Sequence, residues 1–242
     1  MKAAVISDIH SNLEALQAVL KDIKKRRIKK IFCLGDLVGY GANPNECVDL
    51  CLKESDAIVA GNHDWALVGK TDINRFNPVA AQAIRWTKKH ITEANLDKLK
   101  NLPLTQTTSG IMLVHAAPRS PEEWAYLTAF SDFQEAFNSF SEPLCFIGHT
   151  HIPCAAFQDA NSYMDVIREN PFPLIPKRRF IINVGSVGQP RDYDPRACYG
   201  IYDGNNATME IIRIEYNIPL TEQKIMDAGL PEILAQRLSV GK

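Results

Sequence analysis

Five short apolar runs break off, one after another, at a side chain able to hold a metal ion. Ala3 to Ser7 ends on Asp8, Ile31 to Gly35 on Asp36, Ala57 to Gly61 on Asn62, Ile111 to Val114 on His115, and Leu144 to Gly148 on His149. Runs of this length without polar alternation read as strands buried on both faces of a parallel sheet. The C-terminal ends of such strands are where open α/β sheets place their ligands. The pattern therefore predicts one rim carrying all five side chains, with Asp36 central, because a carboxylate has two oxygens to share between two ions.

Between the strands the period changes. Leu13, Leu16, Leu20 and Ile23 recur at helical spacing behind Ser11-Asn12-Leu13-Glu14, which has the form of a capping box. Asn43-Pro44 and Asn77-Pro78 each read as a cap with proline at the first helical position, the first helix running to about Lys53. Alternation of strand and helix to this point argues βαβ units. Thr105 to Val114 then predicts a hairpin turning at Ser109-Gly110, so the sheet is mixed. A helix follows at Asp132 to Phe140, a strand at Arg179 to Val184, a closing hairpin at Cys198 to Ile214, and a helical tail from about 219 to 242. The segment from about 158 to 179, with Pro171, Pro173 and Pro176, reads as a surface loop insertion that could border a substrate.

With 242 residues, 45% of them hydrophobic, the chain fits a single domain with one large core. Its formal net charge of −1 and lack of any long basic block give no general attraction to nucleic acid or anionic membrane. The apolar run after Lys2 is too short for a secretory core or a membrane span, so a cytoplasmic protein is expected. Of the six cysteines, Cys33, Cys145 and Cys198 lie in apolar runs and Cys47 and Cys51 sit one helical turn apart; with no CxxC pair, the set reads as reduced core thiols. A homo-oligomer is compatible with all of this.

Asp8-x-His10 and His149-x-His151 share a spacing of two, which in extended backbone puts both side chains on one side roughly 7 Å apart. Each alone has a structural reading, as a cap or a strand-end hydrogen bond. Together they weigh differently: five of the six histidines, all but His90, fall at apolar strand ends or in the glycine turns beside them. Carboxylate, imidazole and carboxamide together exclude a zinc–thiolate site and suit two divalent ions such as Mn, Fe or Zn. Two such ions carry +4 against −2 from Asp8 and Asp36, and the surplus suits a bridging hydroxide and a phosphoryl group.

Asp8-x-His10, Gly35-Asp36, Gly61-Asn62-His63-Asp64, His115 and Gly148-His149-x-His151 resemble, in order and spacing, the motif series of the calcineurin-like metallophosphoesterases, over roughly residues 1 to 202. The resemblance implies an α/β fold, a four-layer α/β/β/α sandwich with two mixed β-sheets. It implies one ion held by Asp8, His10, Asp36 and His151, and another by Asp36, Asn62, His115 and His149. It also gives His63 the role of general acid or phosphate donor, which suits the chemistry independently, since a leaving alkoxide needs a proton near neutral pH.

Where the family's Ser/Thr protein phosphatases keep an acidic residue and a phosphate-binding arginine, this chain has Gly39 and Tyr40. The turns Gly35 to Gly41 and Gly185 to Arg191 resemble instead the bacterial and archaeal branch labelled phosphodiesterase or diadenosine-polyphosphate hydrolase. The implied activity is hydrolysis of a small phosphodiester, phosphomonoester or nucleotide phosphoanhydride by a metal-bound hydroxide. A protein phosphatase, or a non-catalytic scaffold on the same fold, is the alternative. The missing arginine makes Arg191 the candidate substrate-binding cation, with Ser186 and the amides of Val187 and Gly188 as lesser donors. The structural reading of Arg191 is a surface pair with Asp192 and Asp194. For Asp64 the choice lies between orienting His63 and capping the helix that follows.

Overall fold

A computed structural model describes residues 1–242. Its strands, in chain order, are β1 (Lys2–Ile6), β2 (Lys30–Cys33), β3 (Ala57–Ile58), β4 (Thr105–Thr108), β5 (Ile111–Val114) and β6 (Leu144–Ile147). Then come β7 (Cys154–Gln158), β8 (Met164–Ile167), β9 (Phe172–Pro173), β10 (Arg179–Asn183), β11 (Ala197–Asp203) and β12 (Thr208–Ile214). The helices are α1 (Leu13–Lys25), α2 (Pro44–Glu54), α3 (Asn62–Leu67), α4 (Pro78–His90), α5 (Glu93–Lys100), α6 (Phe130–Phe137), α7 (Ile218–Asp227) and α8 (Glu232–Gln236).

The strands form two six-stranded mixed sheets, in the orders β3-β2-β1-β11-β12-β9 and β4-β5-β6-β10-β7-β8. In the first, β1, β2 and β3 run parallel; in the second, β5, β6 and β10 do. Alternate residues of each strand take opposite faces. Ala3, Val5, Phe32 and Leu34 therefore meet Leu113, Phe146 and Ile182 of the other sheet in one core. Ala4, Ile6, Ile31 and Cys33 pack outward against Leu16, Val19, Val48 and Cys51 of α1 and α2. On the far side Cys145, Ile147 and Ile181 pack against Phe133 and Phe137 of α6. These three apolar layers define the four-layer α/β/β/α sandwich.

Several local expectations change. The helix expected over Asp132 to Phe140 begins at Phe130 and ends at Phe137. Ser11 does not cap α1: it takes a left-handed φ of 54°, and the side chain of Asn12 accepts the amide of Ala15 instead. Glu14 is drawn away to Lys224 and Thr221 of α7. Residues 158–179 are not a loop insertion, since β8 pairs with β7 and β9 pairs with β12 at the edge of the first sheet. An edge position is one that Pro173 can occupy, because no partner needs its missing N–H. The tail carries α7 and α8, and Leu234 of α8 with Leu238 just beyond it packs against Tyr40, Ala80 and Ala83.

Candidate metal centre

All five strand-end side chains meet where the parallel strands of both sheets stop, and they are buried with His10, His63 and His151. The loops that carry them are cross-tied: the amides of Asp8 and His10 donate to the carbonyls of Gly35 and Asp36, and that of Gly148 donates to the His115 carbonyl. The backbone bends sharply there. Asp8, His10, Asp36, Tyr40, His149 and His151 all have φ between 49° and 68°, a strained region for residues with a Cβ. The extended geometry expected for Asp8-x-His10 and His149-x-His151 is thus replaced by left-handed turns. In consequence His149 and His151 face different neighbours.

The histidines sort themselves by their hydrogen bonds. A backbone carbonyl only accepts, so the ring nitrogen beside one must carry the proton. Nδ1 of His10, His115 and His151 donates to the carbonyls of Val38, Leu34 and Gln189, and Nε2 of His149 donates to that of Trp124. Each ring thereby turns its other nitrogen inward, a lone pair whenever the ring is neutral, the arrangement that orients metal-ligating histidines. The lone pairs form two groups: His10 Nε2 lies 3.1 Å from His151 Nε2, and His115 Nε2 lies 3.2 Å from His149 Nδ1 and 3.1 Å from Asn62 Oδ1.

The carboxylates lie between. Asp36 Oδ1 accepts the His63 amide at 2.8 Å, while Oδ2 stands 3.5 Å from His10 Nε2 and 3.4 Å from His115 Nε2, one nitrogen of each group. Asp8 Oδ2 accepts the His149 amide at 3.0 Å. Its Oδ1 is buried without a hydrogen-bond partner, 3.3 Å from His151 Nε2. Lone pairs facing one another at 3.1 Å beside an orphaned carboxylate oxygen are repulsive unless a proton or cation lies among them. The donor set therefore fits divalent cations.

The charge balance points the same way. Burial pushes Asp8 and Asp36 up, but the adjacent imidazoles outweigh it and hold both below the usual carboxylate range. Burial pulls His115 down, yet Asp36 and Asp8 raise it to about 10, so without a cation its inward nitrogen holds a proton between the two carboxylates. Burial depresses His10, His149 and His151, with His149 lowered to about 3. Two close approaches keep the carboxylates in place. A Cβ on Gly61 would stand 2.0 Å from Asp36 Oδ1, and one on Gly148 would stand 2.5 Å from Asp8 Oδ2.

His63 sits beside this set, its ring centroid 4.9 Å from that of His10 and 4.5 Å from that of Tyr40, and its Nδ1 has no protein partner. Burial, aided by nearby cationic groups, lowers it to about 4. Asp64 does not orient it. Its Oδ1 accepts the amides of Leu37 and Val38, and its Oδ2 accepts the amide of Gly61 at the start of α3, so the capping reading describes it. Burial and the charge of Asp36 raise Asp64 to about 7.

Arg191 is not a surface pair with its neighbours: Asp192 pairs with Arg213 and Asp194 with Arg196. Its guanidinium instead reaches Tyr40 Oη at 3.3 Å and Gln189 Oε1 at 2.8 Å, next to the centre. Ser186 is fully buried, its hydroxyl donating to the Asp8 carbonyl and accepting from the Gln189 amide. The amides of Val187 and Gly188 donate to the carbonyls of Ser7 and Asp8. Those three groups are committed to shaping the turn and have nothing left for a substrate. Sequence reasoning missed Gln189, Trp124 and Tyr126, which orient Arg191 and His149, and Arg237 of the tail, whose Nη1 reaches Gln189 Oε1 at 3.3 Å.

A recess of about 220 Å³ opens beside His63, Asn62 and His149. A larger groove of about 630 Å³ lies on the outer face of α1 and α2 and contains none of the candidate residues. No helix is long and apolar enough to cross a membrane.

The family model for the calcineurin-like phosphoesterase superfamily domain matches residues 1–207. An uncharacterised protein of Methanocaldococcus jannaschii is 47% identical, over 99% of this chain and 98% of its own length. The crystal structure of a metallophosphoesterase from Sphaerobacter thermophilus superposes with a TM-score of 0.87 at 39% identity, covering 100% of this chain and 99% of that one. A hypothetical protein of Pyrococcus horikoshii has the same fold, with a TM-score of 0.80 at 20% identity over 100% of this chain and 98% of its own.

Proposed function

The chain belongs to the calcineurin-like phosphoesterase superfamily, and from that premise we propose that it hydrolyses a small phosphodiester, phosphomonoester or nucleotide phosphoanhydride with the help of two divalent cations. One observation carries the reading: two groups of inward lone pairs, His10 with His151 and His115 with His149 and Asn62, share Asp36 Oδ2 between them. Asp8 joins the first group through its unpartnered Oδ1. When bound, a pair of divalent ions such as Mn, Fe or Zn would supply activation of water and polarisation of the phosphoryl oxygens.

The protein's own groups do the rest. His63, free at Nδ1 and lining the recess, donates a proton or hydrogen bond to the leaving oxygen. Its low value belongs to the substrate-free site, and an anionic phosphate alongside would move it back up. Arg191, held by Tyr40 and Gln189, offers its planar guanidinium to phosphate. The six cysteines are unpaired, in keeping with a reducing cytoplasm.

The reading is tested by loading the protein separately with Mn, Fe and Zn and assaying bis-p-nitrophenyl phosphate, p-nitrophenyl phosphate and diadenosine polyphosphates. Metal-dependent turnover of at least one is expected. Two tightly held ions with no hydrolysis of any would favour the scaffold alternative.

A further inference from the structure

The recess beside His63 has a chemistry of its own. Its lining includes Tyr40 and Phe76 together with Trp124 and Tyr126, four aromatic side chains around one small opening. Tyr40 and Phe76 belong to the loop after β2 and the approach to α4, whereas Trp124 and Tyr126 come from the chain after β5. The two groups are pinned together, because the indole N–H of Trp124 donates to Thr71 Oγ1 at 3.2 Å. Trp124 itself holds a left-handed φ of 55°, and its carbonyl fixes His149.

Tyr126 is the informative member. It is 53% exposed, yet its ring stacks on His149 with centroids 4.1 Å apart and an interplanar angle of 29°. With one face on His149, the ring turns its other face to the opening, where a second planar group can stack on it. Polar groups stand at the rim: Glu123, and Asn77, whose Oδ1 caps α4 and whose amide N–H groups remain free. Aromatic faces with acceptor and donor groups at their edge are what a planar heteroaromatic ring needs for stacking and edge recognition.

We propose that this recess binds a nucleobase carried on the leaving group, so that the substrate is a nucleotide ester or anhydride. The assignment to the leaving-group side rests on the phosphoesterase reading, since the recess is lined by His63 and a proton donor must face the departing oxygen.

The test separates the ring from the phosphate. Adenosine 5′-monophosphate and ribose 5-phosphate carry the same phosphate ester and differ only in the base. As competitive inhibitors of the manganese-loaded enzyme, the nucleotide should act at about 10-fold lower concentration or less, the scale of one stacked base. Phe76→Ala and Tyr126→Ala should each shrink that ratio to within about two-fold, the two inhibitors being compared within the same variant so that any change in phosphate affinity cancels. Phe76 touches His63 edge-on at 5.2 Å and Tyr126 stacks on His149 at 4.1 Å, so the ratio within each variant, and not either constant alone, is the readout. Calorimetric titration with adenosine and with ribose, neither a phosphate ester, reads the recess in the absence of turnover, and adenosine alone should bind. Equal inhibition constants, or binding of neither nucleoside nor sugar, overturns the nucleobase assignment and leaves the phosphoesterase reading standing. Adenosine binding by a protein that hydrolyses no phosphate ester would do the reverse.

Discussion

The backbone amide of His63 donates to Oδ1 of Asp36 at 2.8 Å, so the proposed proton donor also fixes the rotamer of the proposed bridging carboxylate. Only Oδ2 is left to face His10 and His115. In Asp36→Asn the carbonyl oxygen would keep the His63 bond and the NH₂ group would turn into the cluster, placing a donor where cations belong. Metal analysis of the purified variant should show loss of both ions, with activity abolished. Two ions per chain retained at parent affinity would sink the bridging role.

His63→Ala should separate metal binding from turnover. The ring holds none of the tautomer-fixing bonds to backbone carbonyls that mark the other four histidines of the centre, so the variant should keep its ions. It should lose about two orders of magnitude in kcat on poor leaving groups, the usual scale for a general acid, and much less on p-nitrophenyl esters. Gly39→Ala offers an independent route to the same effect, since its Cβ would stand 2.4 Å from His63 Nδ1 at a φ of 96°. Loss of metal from His63→Ala would make His63 a ligand.

Ion binding should appear as stability. In the metal-free protein the inward nitrogens of His10 and His151 and the orphaned Asp8 Oδ1 face one another unbalanced. A ligand present at about 1,000 times its Kd adds about 4 kcal/mol, which for a domain of this size is on the order of 10 °C in Tm. Scanning calorimetry with manganese and then with excess chelator should show that rise and its reversal. The same protocol on Asp36→Asn should show neither, and an equal rise in both proteins would assign the effect to ions bound elsewhere.

The candidate site was legible in the sequence because its information is local: a buried strand stops, a turn follows, and the stopping residue is of a type that can hold a metal ion. Asp8, Asp36, Asn62, His115 and His149 needed only that rule, and the two sheets then brought them to one rim. What was not legible depends on pairings across long separations. β9 is two residues long and holds its place only by pairing with β12, 35 positions later at Thr208↔Pro173 and 37 at Met209↔Phe172, so the prolines in and around it suggested a loop. Ser186 lies in a turn suited to phosphate contacts, but the burial of its hydroxyl against the Asp8 carbonyl is a product of close packing between loops 178 residues apart. The tail showed only helical period. Its contacts with Tyr40 and Gln189 have no sequence signature at all.

Those tail contacts sharpen the expectation for Arg191. Gln189 Oε1 accepts from Arg191 at 2.8 Å and from Arg237 at 3.3 Å, so one neutral oxygen serves two cations while Asp192 and Asp194 are taken by Arg213 and Arg196. Two half-buried guanidiniums sharing an uncharged acceptor repel one another, and an anion bound beside Arg191 would relieve that repulsion. Burial and Arg191 together hold Arg237 below the usual arginine range, in line with such repulsion. Arg191→Ala and Arg191→Lys should both raise KM for polyphosphate substrates at unchanged metal content, because lysine cannot reproduce two parallel donors. Arg237→Met keeps a long unbranched side chain at the end of α8 but removes the second charge, and it should change KM less than either Arg191 variant. Steady-state kinetics on a diadenosine polyphosphate with all three variants decides the matter. Parent-like KM in the Arg191 variants, or a larger effect from Arg237→Met, would remove Arg191 from the substrate site.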